Sequence, residues 1–336
     1  GSFPSFIRGF DSLRPLHIPS DGTAIVTAHP DATLSRRDVL QGFAALIPPA
    51  LWSAPAAAQP APATRAIPSS GERLPAVGLG SWITFNVGND RAAREACADV
   101  MRAFFDVGGR LIDSSPMYGS SQSVIGEGLA RIGRSANVFS AGKAGSPPGP
   151  RGPAQIEESR RLWKVQRFDL LQVHNLLAWE SHLPLLFEMK AAGRLRYVGI
   201  TTSEGRRHRE IESIMQGHPI DFVQVSYNLL DRDVEQRILP LARERGIAVL
   251  VNRPFREGGL LRTLQSHPLP PWAAAEIGCD GWAQYVLKFI VSHPAVTCAI
   301  PATTSVAHVR QNMGAALGPL PDAAMRQRMA AHVAAL

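Results

Sequence analysis

The chain has 336 residues, of which 45% are hydrophobic and 19% are charged, as in an ordinary globular protein. Its net charge of +7 comes mainly from scattered arginines, with no basic run interleaved with aromatic residues, which argues against nucleic-acid binding. The three cysteines, Cys97, Cys279 and Cys298, lie far apart in the sequence and form no CxxC pair. We therefore expect buried free thiols rather than a disulfide framework.

The first part of the chain has the features of an export segment. Residues 1–34 show no periodic pattern and are predicted to be an unstructured leader. Residues 35–58 combine an arginine pair, a modest apolar stretch and a final run of three alanines. This order is typical of a twin-arginine signal peptide with its cleavage site. A glycine and two prolines interrupt the apolar stretch, so no stable membrane span is expected there.

The signal peptide predicts a partner and a location. We expect recognition by the twin-arginine translocation machinery and a periplasmic or otherwise exported protein. The alternative interpretation is a cytoplasmic linker with a chance arginine pair. The first methionine is Met101, and initiation at the valine codon of Val26 is one hypothesis for the leader. Residues 59–73, rich in alanine and proline, are predicted to be a linker.

From residue 74 to residue 336, short apolar runs alternate with longer amphipathic ones. Candidate strands cover residues 76–82, 109–113, 137–142, 168–174, 196–201, 221–226, 247–252 and 296–301. Helical patterns cover residues 91–106, 121–132, 154–165, 180–192, 206–215, 232–245, 281–292, 305–316 and 321–335. Continuous apolar strands indicate burial on both faces and hence a parallel sheet.

This rhythm predicts an α/β fold of the (β/α)8, or TIM-barrel, type with a C-terminal helix, preceded by the disordered N-terminal export segment. No GxGxxG motif follows the first strand, which counts against an open dinucleotide-binding sheet. Active sites of such barrels form at the carboxyl ends of the strands. The residues at those ends are Trp82, Asp113, Lys143, His174, Thr201, Thr202, Gln224, Asn252, Ala302 and Thr303.

Four of the side chains near these ends have complementary chemistry. Asp113, Lys143 and His174 end three successive strands, and Tyr118 follows in the loop after Asp113. A buried ammonium lowers the pKa of a nearby phenol, and a buried lysine needs a carboxylate. The imidazole of His174 can hydrogen-bond a carbonyl oxygen. This set suits protonation of a carbonyl while a hydride arrives from elsewhere. Taken singly, the aspartate could cap a helix, the tyrosine could be an ordinary loop residue and the histidine an ordinary rim residue.

Five segments resemble motifs of the aldo-keto reductase family, and the similarity runs from about residue 74 to residue 317. They are "LIDSSPMYGSSQSVIGEGL", "FDLLQVHN", "GRLRYVGIT", "VQVSYNLL" and "IPATTSVAHVRQNM". The resemblance implies a TIM barrel, a monomer, which is the family's default, and reversible reduction of a small-molecule carbonyl substrate with NADPH.

The resemblance also implies roles for individual residues. Tyr118 is expected to be the general acid, Lys143 to lower its pKa, Asp113 to pair with Lys143, and His174 to orient the carbonyl. The expected cofactor-binding residues are Gly80, Ser81, Trp82, Thr201, Thr202, Gln224, Asn252, Arg253, Pro254, Phe255, Ala302, Thr303, Thr304, His308 and Asn312. Within this set, Thr201, Thr202 and Gln224 match the positions that hold the nicotinamide carboxamide.

Three positions depart from the family pattern. Asn252 replaces a frequent aromatic residue that stacks on nicotinamide, and Thr201-Thr202 replaces a Ser-Asn pair. Ala302 and His308 stand where basic residues often meet the 2′-phosphate, for which Arg253 and Arg310 are candidate substitutes. We therefore expect NADPH as the cofactor, with NADH as the alternative.

Two other functions fit parts of this pattern. A cofactor-binding or interaction protein could keep the barrel with little catalytic turnover, although the four complementary groups favour catalysis. A barrel lyase or metal hydrolase would need clustered histidines and carboxylates at the strand ends, and His174 and Asp113 alone qualify. We therefore expect no metal site.

Overall fold

The computed structural model describes residues 61–145 and 151–336. The predicted leader, signal peptide and Val26 start lie outside these residues. The described strands are β1 (Thr64–Ala66), β2 (Arg73–Pro75), β3 (Leu79–Gly80), β4 (Leu111–Asp113), β5 (Phe139–Ala144), β6 (Phe168–Val173), β7 (Leu195–Thr201), β8 (Phe222–Ser226), β9 (Ala248–Asn252) and β10 (Val296–Ala299). The α-helices are α1 (Arg91–Asp106), α2 (Ser121–Ile132), α3 (Arg151–Trp163), α4 (Trp179–Ala191), α5 (His208–Gly217), α6 (Ile238–Arg245), α7 (Gly259–Leu264), α8 (Pro271–Ile277), α9 (Trp282–Val291), α10 (Val306–Gly314) and α11 (Ala323–Ala334).

Strands β3 to β10 form one parallel sheet in chain order, and the sheet closes on itself. The amide of Gly78 donates to the carbonyl of Ala299 at 2.8 Å, and that of Gly80 donates to the carbonyl of Pro301 at 2.9 Å. A Cβ at Gly80 would lie 2.7 Å from the carbonyl oxygen of Ile300, so only glycine permits this close approach. The predicted TIM barrel is confirmed.

Helices surround the barrel and bury their apolar faces against the outer side of the strands. Asp90 caps the N-terminus of α1, and its carboxylate accepts a hydrogen bond from the amide of Ala93 at 2.9 Å. All ten residues of α9 are buried. The predicted C-terminal helix is α11, and the hydroxyl of Tyr285 in α9 donates to the carbonyl of Met329 in α11 at 3.1 Å.

The segment predicted as a linker contains ordered structure. Strands β1 and β2 pair antiparallel, with Thr64 opposite Pro75 and Ala66 opposite Arg73. Ile67 and Leu74 are fully buried in the cluster that fills the barrel interior, together with residues from the starts of several barrel strands. This hairpin is a separate two-stranded sheet that packs against the barrel. The sequence missed it because a hairpin of three-residue strands has too few positions to show a period.

The structure adds two short helices after β9 and agrees with the expectation for the cysteines. Between the predicted strand 247–252 and the predicted helix 281–292 the chain forms α7 and α8, whose six and seven residues are too short for a helical period to be recognised. Cys97, Cys279 and Cys298 are free and buried, as expected. No helix within the described ranges is long and apolar enough to cross a membrane.

Candidate active site

A cavity of about 900 Å³ opens at the carboxyl ends of the barrel strands. Asp113, Tyr118 and His174 line it, with most of the residues expected to bind the cofactor. Those that line it are Gly80, Ser81, Trp82, Thr201, Gln224, Asn252, Arg253, Pro254, Phe255, Ala302, Thr303, His308 and Asn312. Lys143 lies beneath the lining, and Thr202 and Thr304 do not line the cavity either.

Asp113 and Lys143 form an ion pair below the cavity. Their side chains are 4% and 1% exposed, and the Lys143 ammonium donates to Oδ1 of Asp113. It also donates to the carbonyl of Ser114 at 3.3 Å. Burial favours the neutral amine, but the negative charge of Asp113 and the contact with Tyr118 outweigh burial and raise the pKa of Lys143. Lys143 is therefore a fixed cation at neutral pH.

The second oxygen of Asp113 is held by two glutamines. Gln172 and Gln224 donate through Nε2 to Oδ2 of Asp113, at 3.1 Å and 2.9 Å. Gln172 is fully buried in β6, and sequence analysis did not single it out. A polar residue inside the apolar run "FDLLQVH", two positions before His174 and therefore on the same face of the strand, was the available signal.

Tyr118 reaches the cavity from the loop between β4 and α2. The Nζ atom of Lys143 lies 5.1 Å from the centroid of the Tyr118 ring, and the His174 ring meets it edge-on at 5.6 Å between centroids. The loop is fixed by Asn86, whose Oδ1 accepts from the amide of Ser120 at 3.0 Å. Gly119 has a φ of +56°, and a Cβ there would lie 2.2 Å from Oδ1 of Asn86.

The pKa of Tyr118 differs from the expectation. Burial raises it, the charge of Lys143 and its hydrogen bond lower it, and the charge of Asp113 raises it. Lys143 acts in the expected direction, but burial is the larger effect and the pKa lies above its ordinary value. Tyr118 is therefore a protonated phenol at neutral pH, in contact with a cation that favours the loss of its proton.

His174 follows β6 directly and is 7% exposed. Burial and the nearby charge of Lys143 lower its pKa to about 3. The imidazole is therefore neutral across the physiological range and has one N–H to donate. Its Nδ1 lies 2.9 Å from the hydroxyl of Ser115, a second residue that sequence analysis missed.

The floor of the cavity is a continuous hydrogen-bond network. Oε1 of Gln224 accepts from Thr201 Oγ1 at 3.3 Å and from Asn252 Nδ2 at 3.2 Å. Asn252 Nδ2 also donates to the carbonyl of Thr202 at 2.9 Å, and its Oδ1 accepts from Ser226 at 2.7 Å. The amide that replaces an aromatic residue at position 252 thus connects β7, β8 and β9. The aromatic residues that line the cavity are Trp82, Tyr118, Phe255 and Trp282.

Charged side chains also line the cavity and form ion pairs with one another. Arg253 donates to Glu204 at 3.0 Å and to Glu257 at 2.5 Å, and Arg206 also pairs with Glu204. Arg310, a candidate substitute for a basic residue, does not line the cavity.

Asn312 is a donor suited to a bound group. It is 3% exposed and lines the cavity, so its side-chain amide can reach a group bound there. A buried amide normally has a partner. Together with Arg206, Arg253 and His308, which also line the cavity, it fits a large polar anion such as a dinucleotide.

In the same ranges, no cluster of three or more histidine, cysteine, aspartate or glutamate residues could hold a metal ion.

The aldo/keto reductase family model matches residues 76–332. The chain belongs to the aldo/keto reductase family. It is 28% identical over 243 residues to methylglyoxal reductase YeaE of Escherichia coli, covering 71% of this chain and 84% of that protein. It is 27% identical over 235 residues to the NADH-specific methylglyoxal reductase of the same organism, and the match covers 60% of this chain and 70% of that protein.

Solved structures agree with the fold of this aldo/keto reductase. That of an aldo/keto reductase from Klebsiella pneumoniae in complex with NADP and acetate superimposes with a TM-score of 0.67 at 22% identity. The match covers 78% of this chain and 93% of that one. The glycerol dehydrogenase AKR11B4 of Gluconobacter oxydans gives a TM-score of 0.66 at 19% identity, covering 81% and 95%. The chain is thus an oxidoreductase of this family with its characteristic barrel.

Proposed function

We propose that this protein catalyses the NAD(P)H-dependent, reversible reduction of an aldehyde or ketone. The observation that carries the proposal is the contact between the protonated phenol of Tyr118 and the buried Lys143–Asp113 ion pair at the cavity. A bound nicotinamide cofactor would supply the hydride that adds to the carbonyl carbon. The chain's own residues would supply the proton.

Tyr118 is the proposed general acid. As the hydride adds, the phenolic O–H bond breaks and its proton passes to the carbonyl oxygen, giving the alcohol. The resulting phenolate is stabilised by the fixed charge of Lys143, which Asp113 holds in place. The neutral imidazole of His174 donates a hydrogen bond to the same carbonyl oxygen and orients it. Solvent returns the proton to Tyr118 after each turnover.

The cofactor is proposed to lie along the cavity from Gln224 to Asn312. Thr201, Gln224 and Asn252 offer amide and hydroxyl groups at the strand ends, and the remaining lining residues named above flank them. Arg253, Arg206 and His308 give the adenosine side of the cavity a partly basic wall. We propose NADPH as the preferred cofactor, supported by NADP in the Klebsiella structure, with NADH as the alternative because one relative is NADH-specific.

A small carbonyl compound is the proposed substrate. Two relatives are methylglyoxal reductases. Trp82, Ile83 and Met117 line the cavity beside Tyr118 and are 42%, 63% and 58% exposed. These apolar side chains would be covered by an apolar substituent on the carbonyl, so substrates larger than methylglyoxal also fit the proposal.

The test replaces Tyr118 by Phe and compares it with Tyr197→Phe. Tyr197 lies at the opposite end of the barrel, where its hydroxyl donates to Ser70 at 2.7 Å. Loss of a general acid lowers kcat by about 10²- to 10⁴-fold, whereas the control should keep full activity. Fluorescence titration with NADPH and NADH should give unchanged cofactor affinity for Tyr118→Phe. Equal activity of this variant and the unmodified protein would refute the assignment of Tyr118. Cofactor binding by the unmodified protein without turnover of any carbonyl would instead favour the alternative of a cofactor-binding protein.

Export remains a separate proposal. The arginine pair of residues 35–58 supports recognition by the twin-arginine translocation machinery and a periplasmic location. Replacing Arg36 and Arg37 by Lys should retain the protein in the cytoplasm, as measured by cell fractionation and N-terminal sequencing of the product. Unchanged fractionation would contradict export by this route.

We also propose that the protein acts as a monomer, which sedimentation would test.

A further inference from the structure

Ser115 carries a buried hydroxyl to which the proposed reaction assigns no role. It is 0% exposed, lies two residues after Asp113, and its Oγ is 2.9 Å from Nδ1 of His174. Either atom of this contact can in principle be the donor, depending on which nitrogen of the imidazole carries the hydrogen. The surroundings of Ser115 decide between the two arrangements.

The amide of Met117 donates to the same Oγ at 3.2 Å. This amide occupies one lone pair of the hydroxyl, and the hydroxyl's own hydrogen still needs an acceptor. Within the described ranges, Nδ1 of His174 is the one acceptor in hydrogen-bonding contact with that hydroxyl. Because a buried O–H without an acceptor is unfavourable, the Ser115 hydroxyl donates to Nδ1.

This direction fixes the tautomer of His174. A neutral imidazole whose Nδ1 accepts a hydrogen bond carries its hydrogen on Nε2. With Nδ1 occupied by Ser115, Nε2 is the nitrogen left for the cavity that His174 lines. An Nε2–H donates to a carbonyl oxygen, whereas the opposite tautomer would face that oxygen with a lone pair and repel it.

We propose that Ser115 is a positioning residue that holds His174 in the Nε2–H tautomer for carbonyl recognition. Its kinetic consequence rests on the proposed reductase function, because the N–H of His174 matters only if a carbonyl oxygen binds there. The tautomer itself is a property of the protein without substrate. The two ideas can therefore fail separately.

The first measurement is ¹⁵N NMR of protein labelled at histidine, with the His174 signals assigned by their loss in His174→Asn. In the unmodified protein, Nδ1 of His174 should resonate as an unprotonated nitrogen and Nε2 as a protonated one. In Ser115→Ala the two shifts should move towards each other, because the tautomers become mixed. A protonated Nδ1 in the unmodified protein, or unchanged shifts in Ser115→Ala, would overturn the proposal.

The second measurement is steady-state kinetics with a carbonyl substrate. Loss of one hydrogen bond that orients the donor should lower kcat by about fivefold, with the cofactor KM unchanged. The matched control is Ser159→Ala, which removes another buried hydroxyl, bonded to Gln122 at 3.1 Å outside the cavity lining. Equal losses in the two variants would indicate a purely structural role for Ser115. A protein inactive towards every carbonyl would contradict the reductase function, and the NMR result would still decide on the tautomer.

Discussion

Gln224 donates through Nε2 to Oδ2 of Asp113 at 2.9 Å, although the two residues are 111 positions apart in the sequence. Gln172 donates to the same oxygen from β6, which lies in the sheet between the strands that carry Asp113 and Gln224. Gln224, which is expected to hold the cofactor, thus also supports the Asp113–Lys143 ion pair below the cavity. Because Gln224 lines the cavity and Gln172 does not, replacing each glutamine should change the kinetics in a different way.

We expect Gln172→Leu to impair the chemistry and leave cofactor binding intact. Gln172 is fully buried and does not line the cavity, so its removal deprives Asp113 of a donor. Nε2 of Gln224 also donates to Oε1 of Gln172 at 3.1 Å, but Gln224 keeps its bond to Asp113 at 2.9 Å and so keeps its place in the cavity lining when Gln172 is replaced. An unsatisfied buried partner costs about 1–3 kcal/mol, which should appear as a lower urea midpoint and a severalfold lower kcat. Gln224→Leu should in addition raise the KM for NADPH. Identical kinetic profiles for the two variants would be inconsistent with this division.

Breaking the ion pair from one side should destabilise the barrel strongly. Asp113→Asn leaves the buried Lys143 cation without its counter-charge, which costs about 3–5 kcal/mol. Adding Lys143→Met should restore part of the loss, since an apolar side chain needs no partner there. Urea unfolding of the single and double variants measures this. Glu95→Gln, which removes exposed ion pairs with Arg91 and Arg131, serves as the control and should leave the free energy of unfolding nearly unchanged. A double variant less stable than Asp113→Asn would contradict the argument.

The pH dependence of carbonyl reduction should reflect Tyr118 and not His174. A general acid must be protonated, and burial raises the pKa of Tyr118 above 10.0, so activity should decline only as the pH rises past that value. His174, with a pKa lowered to about 3, stays neutral well below its ordinary 6.5. The kcat profile should therefore be flat between about pH 6 and 9. An acid limb near 6.5 that disappears in His174→Asn would show that the imidazole titrates in this range.

The hairpin at the base of the barrel should stabilise the fold without affecting the chemistry. Ile67 is fully buried in the barrel interior, and truncating such a side chain to Ala costs about 2–5 kcal/mol. Because the hairpin packs against the starts of the strands and the cavity lies at their ends, kcat at low temperature should be unchanged. Thermal unfolding and kinetics on Ile67→Ala measure both effects. A selective loss of kcat in a fully folded variant would argue for coupling between the two ends.

Sequence periodicity predicted the architecture well because the barrel strands are continuous apolar runs that end in polar residues. Asp113, Lys143 and His174 could be found since each closes such a run. Gln172 and Ser115 were missed because their roles depend on partners brought together only by the closed sheet. The net pKa of Tyr118 was also unpredictable, since it depends on how deeply the loop is buried as well as on the charge beside it.

The three buried thiols have a consequence for the surroundings in which this barrel can work. Burial raises the pKa of Cys97 and Cys279 to about 11 and raises that of Cys298 as well. The thiolate, which is the form that reacts with oxidants and disulfides, is therefore scarce at neutral pH. The three cysteines are free and buried, so within the described residues the fold contains no disulfide and its thiols react slowly with oxidants. The chemistry of its cysteines therefore does not tie this barrel to either a reducing or an oxidising solution.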